Sequence, residues 1–162
     1  MTSSSSLPGP ALPATPATPP LQRVLCLLFR AGGERIAVRA ADVQKVTPPG
    51  HLSRLPRLPE ALLGITQHRG RVVTVVDAGM LLAGRPVLPG IEARLLILER
   101  PVRHLGLLVD AVEEIESLRL PADLALLQSG GHPALRIAQQ RGRALPLVDV
   151  AALVEQTNAL LS

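Results

Sequence analysis

Residues 69–77 read RGRVVTVVD, and residues 141–149, found 72 positions later, read RGRALPLVD. Five of the nine positions are identical between the two segments. In each copy a Gly follows an Arg, and Gly at this place favours the positive φ of a tight turn. An apolar strand comes next, and it ends in an Asp, which is a typical helix N-cap. The repeat therefore predicts two hairpins, each followed by a helix that Asp77 or Asp149 caps. The repeated arginines, Arg69 and Arg71 with their counterparts, are either solvated turn residues or braces that bond a carboxylate.

A second, weaker internal similarity precedes each copy of the repeat. Residues 36–46 align with residues 105–115, with four apolar positions in common. Short apolar segments separated by Gly and Pro fill the rest of the chain from position 23. Two copies predict two similar subdomains, at about 23–84 and about 93–155, each with some five strands, the number in a small barrel. The predicted fold class is all-β: two small five-stranded, SH3-like β-barrel subdomains with short helices and a C-terminal helix over 149–161.

The composition limits both the core and the chemistry. Among 162 residues, 47% are hydrophobic, yet the chain has one Phe and no Trp or Tyr. The core must therefore consist of aliphatic side chains. Cys26 is the single cysteine, so an intrachain disulfide is impossible, and its apolar surroundings predict a buried, inert thiol.

The charge pattern favours protein partners. The formal net charge is +4, and Lys45 is the only lysine among 17 basic residues. Residues 30–71 hold eight basic and three acidic residues, whereas residues 110–123 hold five acidic residues and one Arg. Separate basic and acidic regions suit polypeptide partners better than a polyanion. A β-barrel module that binds nucleic acid or the ribosome remains the alternative, although the near absence of aromatic side chains argues against it.

The acidic region contains Glu113, Glu114 and Glu116, which have two readings. They are either a solvated strand edge, which we favour, or a contact for a basic partner surface. Residues 1–21 are rich in Pro, Ser and Thr, and this composition predicts a disordered or polyproline-like tail. The longest apolar runs are far shorter than the ~20 residues of a membrane-spanning helix, and the N-terminus lacks a charged start. We therefore expect a cytoplasmic protein without direct membrane insertion.

Catalytic motifs do not stand out. The sequence contains neither GxSxG nor a phosphate-binding P-loop. The four histidines, His51, His68, His104 and His132, lack metal-ligand spacing, and chance placement is the favoured account of each. We expect a protein that is not an enzyme and that has no cofactor and no metal.

The segment over residues 63–82, LGITQHRGRVVTVVDAGMLL, resembles the CheW family of chemotaxis coupling proteins. Residues 34–46 (ERIAVRAADVQKV) and 105–112 (LGLLVDAV) are similar to two further motifs of that family, in the same order. The resemblance covers roughly residues 23–155. It implies two five-stranded β-barrels packed around a groove, and an adaptor without catalysis.

The resemblance also implies partners and site residues. Such adaptors couple the cytoplasmic helical tip of a chemoreceptor, a methyl-accepting protein, to the regulatory domain of the histidine kinase CheA, at receptor arrays. By position, Val43, Lys45, Gly64 and Arg69 fall where the family places receptor-contacting or function-sensitive residues. Position 45 departs from the family, which commonly has Glu there, and Gln67-His68 and Thr74 depart as well. A reversed charge at position 45 predicts a non-standard receptor or kinase, or a parallel chemosensory system.

Overall fold

The computed structural model describes residues 20–99 and 104–161. Most of the predicted tail, residues 1–19, lies outside the described residues, and the first strand begins two residues before its predicted start. The strands are β1 (Leu21–Ala31), β2 (Glu34–Arg39), β3 (Val43–Thr47), β4 (Leu62–His68), β5 (Arg71–Asp77), β6 (Arg94–Leu98), β7 (Leu105–Val109), β8 (Ala111–Pro121), β9 (Leu135–Gln140) and β10 (Arg143–Val148). The helices are α1 (Ala78–Ala83) and α2 (Val150–Leu161), with 3-10 turns at Ala40–Asp42 and Leu124–Leu126.

The strands form two five-stranded sheets, which confirms the all-β fold class. The first sheet has the order β8-β1-β2-β10-β9, and the second has the order β3-β6-β7-β5-β4. Helix α2 closes the C-terminal end of the chain, as the amphipathic pattern predicts.

The two sheets do not correspond to the two copies of the repeat. Each sheet combines strands from both halves of the chain, so strands are exchanged between the two copies of the repeat. The chain leaves the first sheet at the 3-10 turn after β2 and returns to it at β8. Parallel pairs join the halves, with β5 beside β7 and β2 beside β10.

The core is aliphatic and continuous between the sheets. Phe29, the single aromatic residue, is fully buried there beside Leu27 and strands of the second sheet. Cys26 and Leu28, which alternate with them along β1, pack into a smaller cluster within the first sheet. One strand thus supplies two cores through its two faces.

The repeated motif forms the structures that its residues predict. Gly70 and Gly142 have φ of 76° and 80°, and the arginines before them, Arg69 and Arg141, have φ of 52° and 50°. Positive φ at both central residues defines type I′ turns, the common hairpin connection. The predicted N-caps are confirmed as well.

The caps differ in strength. Asp77 Oδ1 accepts hydrogen bonds from Met80 N at 2.9 Å and from Val87 N at 3.1 Å. Asp149 Oδ1 accepts a single longer bond, from Ala152 N at 3.4 Å. The first cap therefore holds both a helix and the loop that follows it.

Candidate functional site

A groove opens along the second sheet. Thr47 of one edge strand, β3, and residues 65–68 of the other edge strand, β4, both line its cavity of about 440 Å³. We name this cavity the β3–β4 groove. Its lining consists of Thr47, Pro48, Pro49, Gly50, His51, Ser53, Ile65, Thr66, Gln67, His68, Val72, Leu95 and Ile97. The floor is thus aliphatic, and the rim is polar.

A β-bulge directs Lys45 toward this groove. Val43 pairs with Leu98, whereas Lys45 pairs with Ile97, so Gln44 is the extra residue. Directly opposed residues share a face, and neighbouring residues on a strand point to opposite faces. Lys45 therefore lies on the same face of the sheet as Ile97, which lines the groove. Val43 lies on the opposite face, where it packs against the core between the sheets.

Gly64 shapes one wall of the groove. Ser53 and Ile65 exchange two backbone hydrogen bonds, of 2.8 and 2.9 Å, which attach the loop before β4 to that strand. A Cβ at position 64 would overlap the carbonyl oxygen of Ser53, and the φ of 146° also requires Gly. Thr66 Oγ1 donates a further bond of 2.6 Å to the carbonyl of His51. Only a residue without a side chain lets the loop lie this close.

The groove carries a concentration of positive charge. The pKa of His68 is lowered from its ordinary value, first by loss of hydration and then by the charges of Lys45 and Arg69. The three side chains are thus close enough to act on one another. In the described part of the chain, neither Lys45 nor Arg69 forms an ion pair.

The arginines of the first sheet are different, because they meet carboxylates. Arg30 binds Glu113 at 2.6 Å, and Arg35 binds Glu113 at 2.9 Å and also Glu114. These acids lie on β8, an edge strand, and Glu113 is the extra residue of a bulge opposite β1. The acidic patch is therefore a charged strand edge whose carboxylates are matched by arginines of the same chain.

The four predicted site residues divide into two groups. Lys45 and Arg69 act by their charges on His68, which lines the groove, and Gly64 supports its wall, but none of the three lines the cavity itself. Val43 is separated from them by the bulge. His68 itself was missed as a candidate, although it directly precedes Arg69 and occupies one of the positions that depart from the family pattern.

No arrangement for catalysis or metal binding arises in residues 20–99 and 104–161. Within them no three His, Cys, Asp or Glu side chains are grouped so that they could hold a metal ion. Burial raises the pKa of the Cys26 thiol to about 11, so it is a poor nucleophile. No described helix has the length and hydrophobicity that crossing a membrane requires.

Comparison with known proteins places these features in a family. Protein FrzA of Myxococcus xanthus is 31% identical over 143 residues, which are 84% of this chain and 87% of FrzA. The probable chemotaxis protein CheW of Rhizobium etli is 32% identical over 91 residues, 55% of this chain and 57% of that protein. The crystal structure of the scaffolding protein TtCheW from Thermoanaerobacter tengcongensis has the same fold, with a TM-score of 0.64, 21% identity, and coverage of 79% of this chain and 90% of that one.

The family model described as the CheW-like domain matches residues 25–158, from the first strand to the C-terminal helix. Members of this family are non-catalytic scaffolds in chemotaxis signalling. The chain belongs to the CheW-like domain family.

Proposed function

We propose that this protein is an adaptor that couples chemoreceptors to a CheA-type histidine kinase and catalyses no reaction itself. The observation that supports the proposal is the β3–β4 groove in a chain of the CheW-like family: the charges of Lys45 and Arg69 act on His68 of its lining, and Gly64 lets the loop at Ser53 form its wall. Lys45, Gly64 and Arg69 are three of the four positions at which the family resemblance implies receptor contact.

The groove has the chemistry of a helix-binding site. Its floor contains Leu95 and Ile97, and Val72 lies at its rim with 53% of its surface exposed. An amphipathic helix can place its apolar side chains on such a floor while its polar residues meet the rim. The cytoplasmic tip of a chemoreceptor, a helical hairpin, is the partner that we assign to the groove.

The kinase must contact a different surface, because an adaptor holds both partners at the same time. We assign the regulatory domain of the kinase to the exposed ends of the two sheets, away from the groove. This arrangement recruits the protein to receptor arrays on the cytoplasmic side.

Binding measurements with purified components test the proposal. The partners are soluble tip fragments of the receptors and the regulatory domain of each CheA-type kinase that the same genome encodes. We expect separate binding to at least one of each, with Kd in the micromolar range, as is usual for modest transient interfaces. Arg69→Ala should weaken receptor binding about tenfold and leave kinase binding and the circular dichroism spectrum unchanged. Failure of every receptor tip and every kinase domain to bind would overturn the proposed function.

A further inference from the structure

We propose that the receptor segment seated in the β3–β4 groove is acidic, with Asp or Glu side chains that face Lys45 and Arg69. The inference rests on the proposed function and deepens it, since it specifies the partner's chemistry. It concerns a protein segment with apolar and carboxylate side chains together, because the groove has Ile65, Leu95 and Ile97 in its lining and the charges of Lys45 and Arg69 act on His68 of the same lining.

The first argument is that the carboxylates of this chain are not available to these cations. All 13 Asp and Glu residues of the sequence lie within the described ranges. Six ion-pair contacts occur there, made by Arg30, Arg35, Arg39, Arg136 and Arg141. Lys45 and Arg69 take part in none of them, so their charges remain for a partner.

The repeat supplies the second argument, because it contains an internal control. Arg69 and Arg141 occupy equivalent turns with almost equal φ, 52° and 50°. Arg141 lies 3.7 Å from Glu116 of the same chain, whereas Arg69 has no such carboxylate. The two arginines thus have the same backbone conformation, but only Arg141 lies near a carboxylate of the same chain.

The third argument is the position of Lys45. The bulge at Gln44 turns Lys45 to the groove face, and Lys45 acts on His68 across the groove from the opposite edge strand. Cations therefore stand on both sides of the opening. A carboxylate between them is attracted by both cations, whereas a basic segment is repelled by both.

Charge reversal tests this inference on the full chain. The probe is the receptor tip fragment that binds the wild-type protein, titrated by calorimetry at several salt concentrations. Lys45→Glu and Arg69→Glu should each weaken binding at least tenfold at low salt, and the wild-type affinity should fall as salt rises. Arg141→Glu, at the repeat-related turn, is the matched control and should change the affinity less than twofold.

A reciprocal exchange identifies the facing residue. Each acidic residue of the fragment's tip is changed to Lys in turn, and one such change should restore binding to Lys45→Glu or Arg69→Glu while weakening binding to the wild type. If the affinity for the fragment changes neither with salt nor in Lys45→Glu and Arg69→Glu, an acidic partner segment is excluded, whereas the adaptor role stands. If no receptor fragment binds, whereas RNA or duplex DNA binds with a steep salt dependence, both proposals fail.

Discussion

Arg69 holds a backbone conformation that costs free energy. A residue other than Gly loses about 1–2 kcal/mol in the left-handed region, because its Cβ approaches the following carbonyl oxygen. Asn-Gly is the usual pair in a type I′ turn, since Asn tolerates positive φ. Arg at position 69 therefore is not the choice that hairpin stability favours. Arg141 has the same conformation at the repeat-related turn, so the strain belongs to the repeated turn and does not by itself mark a binding site.

Replacing each turn arginine by Asn should separate stability from binding. We expect both Arg69→Asn and Arg141→Asn to raise the free energy of unfolding by about 0.5–1 kcal/mol, because Asn relieves the strain. The loss of the Arg141–Glu116 contact subtracts little, since the Arg141 side chain is 82% exposed. Urea denaturation measures the stabilities, and receptor titration measures the affinities. Only Arg69→Asn should weaken receptor binding; a stabilised variant with unchanged affinity would remove Arg69 from the interface.

The sequence predicts the local roles of individual residues, but it does not predict which distant parts of the chain approach them closely. The turn role of Gly70 and the cap role of Asp77 follow from neighbours within a few positions, and both are confirmed. The place of Gly64 beneath Ser53, and the bulge that turns Lys45 away from Val43, depend on which strands meet. The residues next to Gly64 and Lys45 in the chain therefore do not predict these two features.

The two helix caps, Asp77 and Asp149, occupy the same place in the repeat but make different contacts. Asp77 is buried, with 4% of its surface exposed, and its carboxylate bonds the backbone of both α1 and the following loop. Asp149 is half-buried; one of its carboxylate oxygens makes a long hydrogen bond to α2, and the other lies 3.7 Å from Arg136 Nε. The two identical aspartates of the repeat thus bind different partners.

Alanine substitution should expose this difference. We expect Asp77→Ala to lower the free energy of unfolding by about 3 kcal/mol, because it removes a cap and leaves the buried Val87 N–H without its acceptor. Asp149→Ala should cost about 1 kcal/mol, the usual value of one cap. Chemical denaturation of the two variants gives both values, and equal losses would show that the second bond of Asp77 contributes nothing.

Helix α2 is tied to the preceding loop through a histidine. His132 Nδ1 accepts a hydrogen bond from Ala134 N at 3.0 Å, so the neutral ring carries its proton on Nε2, which lies 3.3 Å from the side-chain amide of Gln156 on α2 and can donate to that amide's oxygen. Burial lowers the pKa of His132, although a hydrogen bond with the backbone at Leu81 opposes that shift. The neutral ring is therefore the form that fits the folded protein.

Acid should weaken the contact between His132 Nδ1 and Ala134 N, because a protonated Nδ1 cannot accept a hydrogen bond. Because the folded pKa lies below the unfolded value of about 6.5, the unfolded chain binds the proton more tightly. The stability contributed by neutral His132 is fully present above about pH 6.5, and it is lost as pH falls through that value toward the folded pKa. His132→Asn keeps an acceptor for Ala134 N but does not titrate. We expect the melting temperature of the wild type to fall more steeply between about pH 7 and pH 5 than that of the variant; parallel curves would contradict the assignment.

At the scale of the whole molecule, the repeat is real in sequence but does not mark structural units. The two hairpins of the repeat were predicted correctly, because alternation and turn residues lie within each hairpin. They carry no information on which sheet a strand joins. The partition was set instead by four pairings between the halves, β1 with β8, β2 with β10, β3 with β6 and β5 with β7, which form only after distant segments meet.

Division of the chain between the copies should therefore destroy the fold. The loop before β6 is a suitable place to cut, because Leu88 and Ile91 are 79% and 95% exposed. The fragment over residues 20–90 contains the β1–β2 hairpin but lacks β8 and β10, the strands that flank it. The fragment over residues 91–162 lacks β1 and Phe29, and with them the centre of the core.

We expect each fragment alone to show the circular dichroism and narrow amide chemical-shift range of an unfolded chain, since neither buries enough apolar surface to offset its conformational entropy. An equimolar mixture should recover the strand signal and a cooperative thermal transition, because the missing strands come from the other fragment. A cooperative transition in either fragment by itself would mean that one copy of the repeat is an autonomous unit. The core between the sheets, which takes side chains from both halves of the chain, argues that it is not.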